Sequence, residues 1–330
     1  MEKILTIVIP TYNMQDYLRR CLDSLVVPVE QMKLLEVLVI NDGSKDRSSA
    51  IAHEYQDKYP DTFKVIDKEN GNYGSCVNRG LKEATGKYIK ILDADDFFNS
   101  KNLASFLTDL RSVDVDLVIS NHDIINENGK VTAMRSYKMP ENKVLSFHDY
   151  CDNVLHYIQM HAVTYNRHVF DGLEYHQTEG ISYTDQEWIF LPMSRVKTFM
   201  YFNNVLYMYF IGRQGQTMDT KVMARRVSHI IKIVQNSFDA LKRCDLSVAS
   251  LKTYLYDQLA YNIGSVYNFA IKYKTISKEE AIEFDRYVRD NNMEIYNKMA
   301  SFRFSRKIPF RYISYWRKHK KLPFWVKIFC

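Results

Sequence analysis

Tyr88-Ile89-Lys90-Ile91-Leu92-Asp93-Ala94-Asp95-Asp96 sets a short, largely apolar run directly against a cluster of carboxylates. The run is too short for a helix and reads as a buried strand, so the acids after it lie at the strand's carboxyl end. In an open parallel sheet that end is where ligands bind. The layout recurs upstream. Leu5-Thr6-Ile7-Val8-Ile9, stopped by Pro10, is followed by Thr11-Tyr12-Asn13, and Val37-Leu38-Val39-Ile40 by the turn residues Asn41-Asp42-Gly43-Ser44.

Helical patterns separate these runs. Tyr17, Leu18, Cys21, Leu22 and Leu25 form one apolar stripe ending before Pro28; Ser48–Tyr59 stops at Pro60, and Gly74–Ala84 is closed by Gly86. Residues 63–66 and 116–120 add two strands. Such alternation predicts an α/β fold: a mixed, mostly parallel sheet with helices on both faces. Residues 199–211 form two β-rich runs around Asn203-Asn204, which predicts a hairpin turn. From about Thr217 the pattern is helical, over 217–243, 248–273, 277–290 and 292–303, with no proline between Pro192 and Pro309. These patterns predict one domain over 1–215 and a helical C-terminal region over 216–330.

The chain has 330 residues, 46% hydrophobic and 25% charged, which excludes wholesale disorder. Its five cysteines are scattered, with no CxxC, so a zinc site or a disulfide framework is not expected. No apolar run is long enough to span a membrane, and the N-terminus lacks the layout of a secretory signal. The expectation is a cytoplasmic protein, peripheral on the inner membrane face. The net charge of +6 comes from 45 basic and 39 acidic residues. Residues 301–330 hold nine of the basic ones and no acid, leaving −3 for the rest, so a generally nucleic-acid-binding body is not expected.

Alone, Asp-Gly-Ser after a strand is a common turn and Asp-x-Asp a common surface pattern. Their shared position after apolar strands makes coincidence a poor account. Asp42, Asp93 and Asp95 gathered in one cleft would repel, so a cation is the natural neutraliser. Oxygen ligands select Mg²⁺ or Mn²⁺, which in turn suits a diphosphate-containing substrate. Neither a GxxxxGK[ST] loop nor GxGxxG occurs.

Residues 4–96 resemble the nucleotide-sugar-binding half of the family 2 inverting glycosyltransferases, which have the GT-A fold. The matching blocks are 7–13, 39–46, 69–74, 78–81, 84–89 and 92–96. The resemblance implies that Pro10, Thr11, Tyr12, Asp42, Asn72, Asp93 and Ala94 face a nucleoside-diphosphate sugar, and that Asp95 holds the metal. Where many relatives carry Ala-Arg-Asn, this chain has Cys76-Val77-Asn78; an arginine that could position the donor is missing, and whether Arg79 or Lys82 substitutes for it is open. The family's base matches Asp185 in Tyr183-Thr184-Asp185-Gln186-Glu187-Trp188, with Glu187 second. The bland reading makes Thr184 or Asp185 the cap of a helix Gln186–Ser194.

Arg213-Gln214-Gly215-Gln216-Thr217 resembles a late loop of related domains that closes over the diphosphate; the alternative is a helix cap at Thr217. His161 is a candidate metal or acceptor ligand, and Trp188 and Tyr183 are candidate sugar-stacking rings. The interleaved rings and cations of residues 301–330 suit an anionic membrane surface, or simple packing on the helical region. The combined reading is a metal-dependent inverting glycosyltransferase that uses a UDP-sugar and a glycan or lipid-linked acceptor. The alternatives are a sugar nucleotidyltransferase and a non-catalytic nucleotide-sugar-binding scaffold.

Overall fold

Every residue of β1 (Leu5–Thr11) is buried, because the strand lies inside a sheet between β2 (Leu35–Asn41) and β4 (Tyr88–Ile91), parallel to both. The computed structural model describes residues 2–213, 216, 220–305 and 308–325. The chain divides into two units, Met1–Gln214 and Gly215–Cys330.

In the first unit β3 (Phe63–Asp67) extends the parallel block beyond β2. The sheet continues past β4 through β9 (Val163–Asn166), β6 (Leu117–Ile125) and β10 (Thr198–Phe210) to β5 (Phe97–Phe98). The longest registers are parallel, β1 with β2 and β6 with β10. Strand β9 is wedged antiparallel between β4 and β6. Two further strands, β7 (Val131–Arg135) and β8 (Val144–Ser146), pair antiparallel with β6 and β10.

Alternation along β1 assigns the helices to faces. Leu5, Ile7 and Ile9 pack with the apolar sides of α1 (Leu18–Asp23), α3 (Ser48–Lys58) and α5 (Ser100–Leu110), and Met32 of α2 (Val29–Met32) joins that cluster. Val8 points the other way, onto α4 (Asn72–Glu83). There a Cβ at Gly80 would sit 2.3 Å from Val8 Cγ1, so only glycine lets helix and strand meet.

Two local expectations are corrected. Residues 199–211 form one strand, not a hairpin: β6 pairs in parallel with both halves of β10, and Asn203-Asn204 falls in an irregularity between Phe202 and Val205. Asn203 Oδ1 there accepts from Asn121 and from the Tyr201 hydroxyl, which uses the turn-like residues without reversing the chain. The expected helix Gln186–Ser194 is instead one turn, α6 (Asp185–Trp188), followed by a separate 3₁₀ turn over Pro192–Arg195. Pro192 has no N–H to continue the first helix.

The second unit is helical: α7 (Thr220–Arg225), α8 (Val227–Leu241), α9 (Ala249–Tyr267), α10 (Lys278–Asn291), α11 (Met293–Met299) and α12 (Tyr312–His319). Helix α9 runs into a π-turn at Asn268–Tyr273 and stops at Lys274, whose φ is +53°. Ser277 and Glu280 then form a capping box that starts α10. Among the described residues no helix is long and apolar enough to cross a membrane. The expected cap at Thr217 lies outside the described residues.

Candidate active site

The loops after β1 and β2 are sewn together. Asn13, with φ +53°, accepts from Lys45 N and donates its own N–H to Ser44, and Asp42 N donates to Thr11 O. Pro10 and Thr11, at the end of β1, are buried, while the Tyr12 ring is 45% exposed. The Asp42 carboxylate accepts from Lys68 Nζ at 2.6 Å and from the backbone N–H groups of Gly71 and Asn72 at 2.9 Å each. It therefore caps α4, whose first residue, Asn72, has φ +68°.

The next residue crosses to the second group of acids: Tyr73 donates its hydroxyl to Asp93 Oδ1 at 2.9 Å. Beside Asp93, Asp96 accepts from the Tyr207 hydroxyl at 2.6 Å and from Phe210 N at 2.7 Å. Asp95 Oδ2 accepts from Arg213 Nε at 2.9 Å. Arg20, its guanidinium between the Phe97 and Phe210 rings, holds Asp95 O at 2.7 Å. Ala94 is buried within this turn.

Asp93 and Asp95 thus lie together, with Asp96 added. Asp42 differs from the expectation of one shared cation pocket: its oxygens are taken up by Lys68 and the start of α4. Burial pushes the Asp93 and Asp96 carboxyls up, and the neighbouring Asp95 pushes both further. Asp185 adds to the effect on Asp93, while Arg213 opposes it.

Asp93, Asp96 and His161 each offer a ligand atom, all within 4.8 Å of one another. His161 is 8% exposed, stacks on Tyr209 with centroids 4.3 Å apart, and has no hydrogen-bond partner for Nδ1. Burial holds its imidazole neutral, the form that ligates metals.

Asp185 opens α6, half-buried, and burial raises its carboxyl above the usual range. Tyr183, two residues earlier, has φ +69°, a strained conformation for a bulky side chain. Thr184 makes no side-chain cap; its Oγ1 accepts from the buried Gln177. Glu187 is committed elsewhere: its two oxygens accept from Thr178 N and Thr178 Oγ1, each at 2.7 Å. Thr178 is in turn held to α4, through Asn78, which brackets Gln177, and Gly74. A chain of contacts thus runs from α4 through Thr178 and Glu187 to the turn carrying Asp185.

A Cβ at Gly74 would lie 2.1 Å from Thr178 O. Gly74→Ala must therefore push residues 177–187 away, and a shift near 1 Å costs about 10²-fold in rate. Steady-state kinetics of this variant should show that loss mainly in kcat.

Other expectations are corrected by burial and pairing. Trp188 is fully buried against Phe170 and Tyr165 and is core, out of reach of a sugar. Val77 is buried, and Arg79 pairs with Glu83 along the helix, so it does not replace an arginine at 77. Of the loop 213–217 the structure describes Arg213 and Gln216. Sequence reasoning missed Tyr73, Tyr207 and Arg20. In a chain with 24 tyrosines nothing local marks Tyr73 and Tyr207 as the ones that hold the acids of this site.

The mostly parallel α/β sheet, with these carboxylates gathered at its strand ends beside an arginine and a half-buried aspartate, has the GT-A fold. The model of glycosyl transferase family 2 matches residues 6–173, and the chain belongs to that family. An uncharacterized glycosyltransferase, MG025, of Mycoplasma genitalium is 29% identical over 66% of this chain and 71% of its own. Other curated relatives are matched over about a third or less of their length. The crystal structure of Staphylococcus aureus TarS 1-349 in complex with UDP covers 96% of this chain and 87% of its own, with a TM-score of 0.67 at 18% identity. The mannosyltransferase PcManGT of Pyrobaculum calidifontis, in complex with GDP-Man and Mn²⁺, covers 82% of this chain and 74% of its own, with a TM-score of 0.52 at 15% identity. The protein is a glycosyltransferase.

Proposed function

We propose that the first unit transfers a sugar, with inversion, from a UDP-linked donor to a hydroxyl of a glycan or lipid-linked acceptor, using Mn²⁺ or Mg²⁺. The observation that carries this reading is the crowding of buried carboxylates around a single arginine contact. Asp95 and Asp185 bear on Asp93, Asp95 and Asp93 bear on Asp96, and Arg213 pairs with Asp95. Carboxylates raised by mutual repulsion and burial, next to an imidazole nitrogen without a partner, fit a divalent ion. Asp95, Asp93, Asp96 and His161 are the residues to hold it. TarS bound to UDP and PcManGT bound to Mn²⁺ support the same reading by their shared fold.

When bound, the ion supplies charge stabilisation to the leaving diphosphate. The chain supplies the rest. The stitched loops at Pro10–Tyr12 and Asp42, with Asn72, form the wall for the nucleoside. Tyr73 fixes the orientation of Asp93, and Tyr207 that of Asp96. Arg213 donates to phosphate oxygens once the donor draws it from Asp95. Asp185 accepts the proton of the acceptor hydroxyl as that oxygen attacks the anomeric carbon. A single displacement from the face opposite the leaving group inverts the centre.

Nucleotide release from a panel of UDP- and GDP-sugars, with Mn²⁺ and with EDTA, tests the reading. UDP release that needs the metal supports it. Equal release in EDTA, or preference for a GDP-sugar, contradicts it.

A further inference from the structure

Charge divides sharply along the chain. Residues 216–330 hold 22 Lys and Arg against 10 Asp and Glu, a net of +12; residues 1–215 hold 23 against 29, a net of −6. Nine of those twelve net positive charges lie in residues 301–330; the rest of the unit, residues 216–300, holds 13 Lys and Arg against 10 Asp and Glu.

The fold uses part of that final segment internally. Tyr312, Ile313 and Trp316 are buried along one side of α12. Arg317 donates to Asp285 at 2.8 Å and to the Tyr267 hydroxyl at 3.1 Å, so its charge is neutralised inside the unit. This is the packing alternative, and it accounts for Phe304, Tyr312 and Trp316.

Another part of the segment faces outward. Arg311, Lys318 and Lys321 are exposed, Phe324 is 83% exposed and Trp325 is 48% exposed. Trp325 leans on Phe310, with centroids 5.2 Å apart. Leu322 is buried, and as sequence alone the run from Phe324 to Phe329, Phe-Trp-Val-Lys-Ile-Phe, carries a single charge. An exposed Phe-Trp pair beside cations, with no acid from 301 onward, matches the interface of a bilayer, where rings sit at headgroup depth and lysines meet anionic lipid. A nucleic acid would satisfy the cations, but it gives so apolar a stretch no apolar phase to enter.

We propose that the helical unit docks on an anionic lipid bilayer through Arg311, Lys318, Lys321, Phe324 and Trp325. This docking is independent of the transfer reaction. The test is flotation of the full chain with vesicles of phosphatidylcholine alone, and with vesicles that also contain phosphatidylglycerol, at low and high sodium chloride.

The expected result is co-flotation with the mixed vesicles at low salt, weak recovery with phosphatidylcholine, and loss at high salt. Phe324→Ser with Trp325→Ser should lower the partition coefficient at least about tenfold. Lys318→Glu with Lys321→Glu should do the same by charge, and keeps the test decisive if the first variant fails to fold. Equal recovery with both vesicle types, recovery with neither, or unchanged binding by folded variants would overturn the proposal. So would tight capture of an RNA oligonucleotide that the mixed vesicles do not compete away.

Discussion

Asp185→Asn is expected to lower kcat about 10³-fold while UDP binding stays within about twofold of wild type, since a positioned general base contributes 10²–10⁴-fold. The carboxylate has no structural duty that asparagine would abandon. The neighbouring Gln186 side chain donates to Asp185 Oδ2 at 3.2 Å, a bond an amide oxygen can also accept, and α6 is held through Glu187 and Thr178.

The pH profile gives the same residue a second signature. Burial raises the Asp185 carboxyl, with Glu187 adding to it and hydrogen bonds opposing it; Asp185 in turn bears on Asp93, Tyr73 and Tyr209. A base must be ionised to act, so kcat/KM should rise with pH through a limb above about 4, the ordinary aspartate value. That limb should vanish in Asp185→Asn. A limb at or below about 4, or substantial turnover by the variant, removes Asp185 from the mechanism.

Asp42→Ala is expected to be the most destabilising single change in the site. It strips Lys68 of its carboxylate partner, leaving it Glu69 O and Ser75 Oγ, and leaves the N–H groups of Gly71 and Asn72 unsatisfied at the start of α4. Removing one member of a buried ion pair costs about 3–5 kcal/mol, here discounted toward about 3 because the Lys68 side chain is 19% exposed. For a unit of this size that is a fall of roughly 6–12 °C in Tm. A calorimetric melt reads it directly. A shift below about 2 °C would mean that the pair contributes little and that α4 is anchored by its apolar face alone.

The main strands were legible because each is an apolar run stopped by turn chemistry, and the acids at their ends could be placed without coordinates. Strand β9 was not: Val163-Thr164-Tyr165-Asn166 has four residues, and it acquires strand character from β4 and β6 on either side. Asn203-Asn204 carried a genuine turn signal that tertiary pairing overrode, because the partner strand β6 lies some eighty residues away. In the site, the motif acids were visible and their custodians were not. Tyr73, Tyr207 and Arg20 reach their carboxylate or carbonyl partners across 20, 111 and 75 residues, distances at which no sequence spacing speaks. Glu187 beside Asp185 looked like a rival base; only its bonds to Thr178 show that it holds the turn in place.

The account rests on the acidic cluster at the end of β4 being a seat for a divalent cation and a diphosphate together. Calorimetric titration of Mn²⁺ into the protein, with and without UDP, measures this most directly. The account predicts one ion per chain, tighter binding when UDP is present, and a loss of at least about tenfold in Asp93→Asn and in Asp95→Asn. Mn²⁺ affinity unchanged in those variants, or UDP binding equally tight in EDTA, would contradict it.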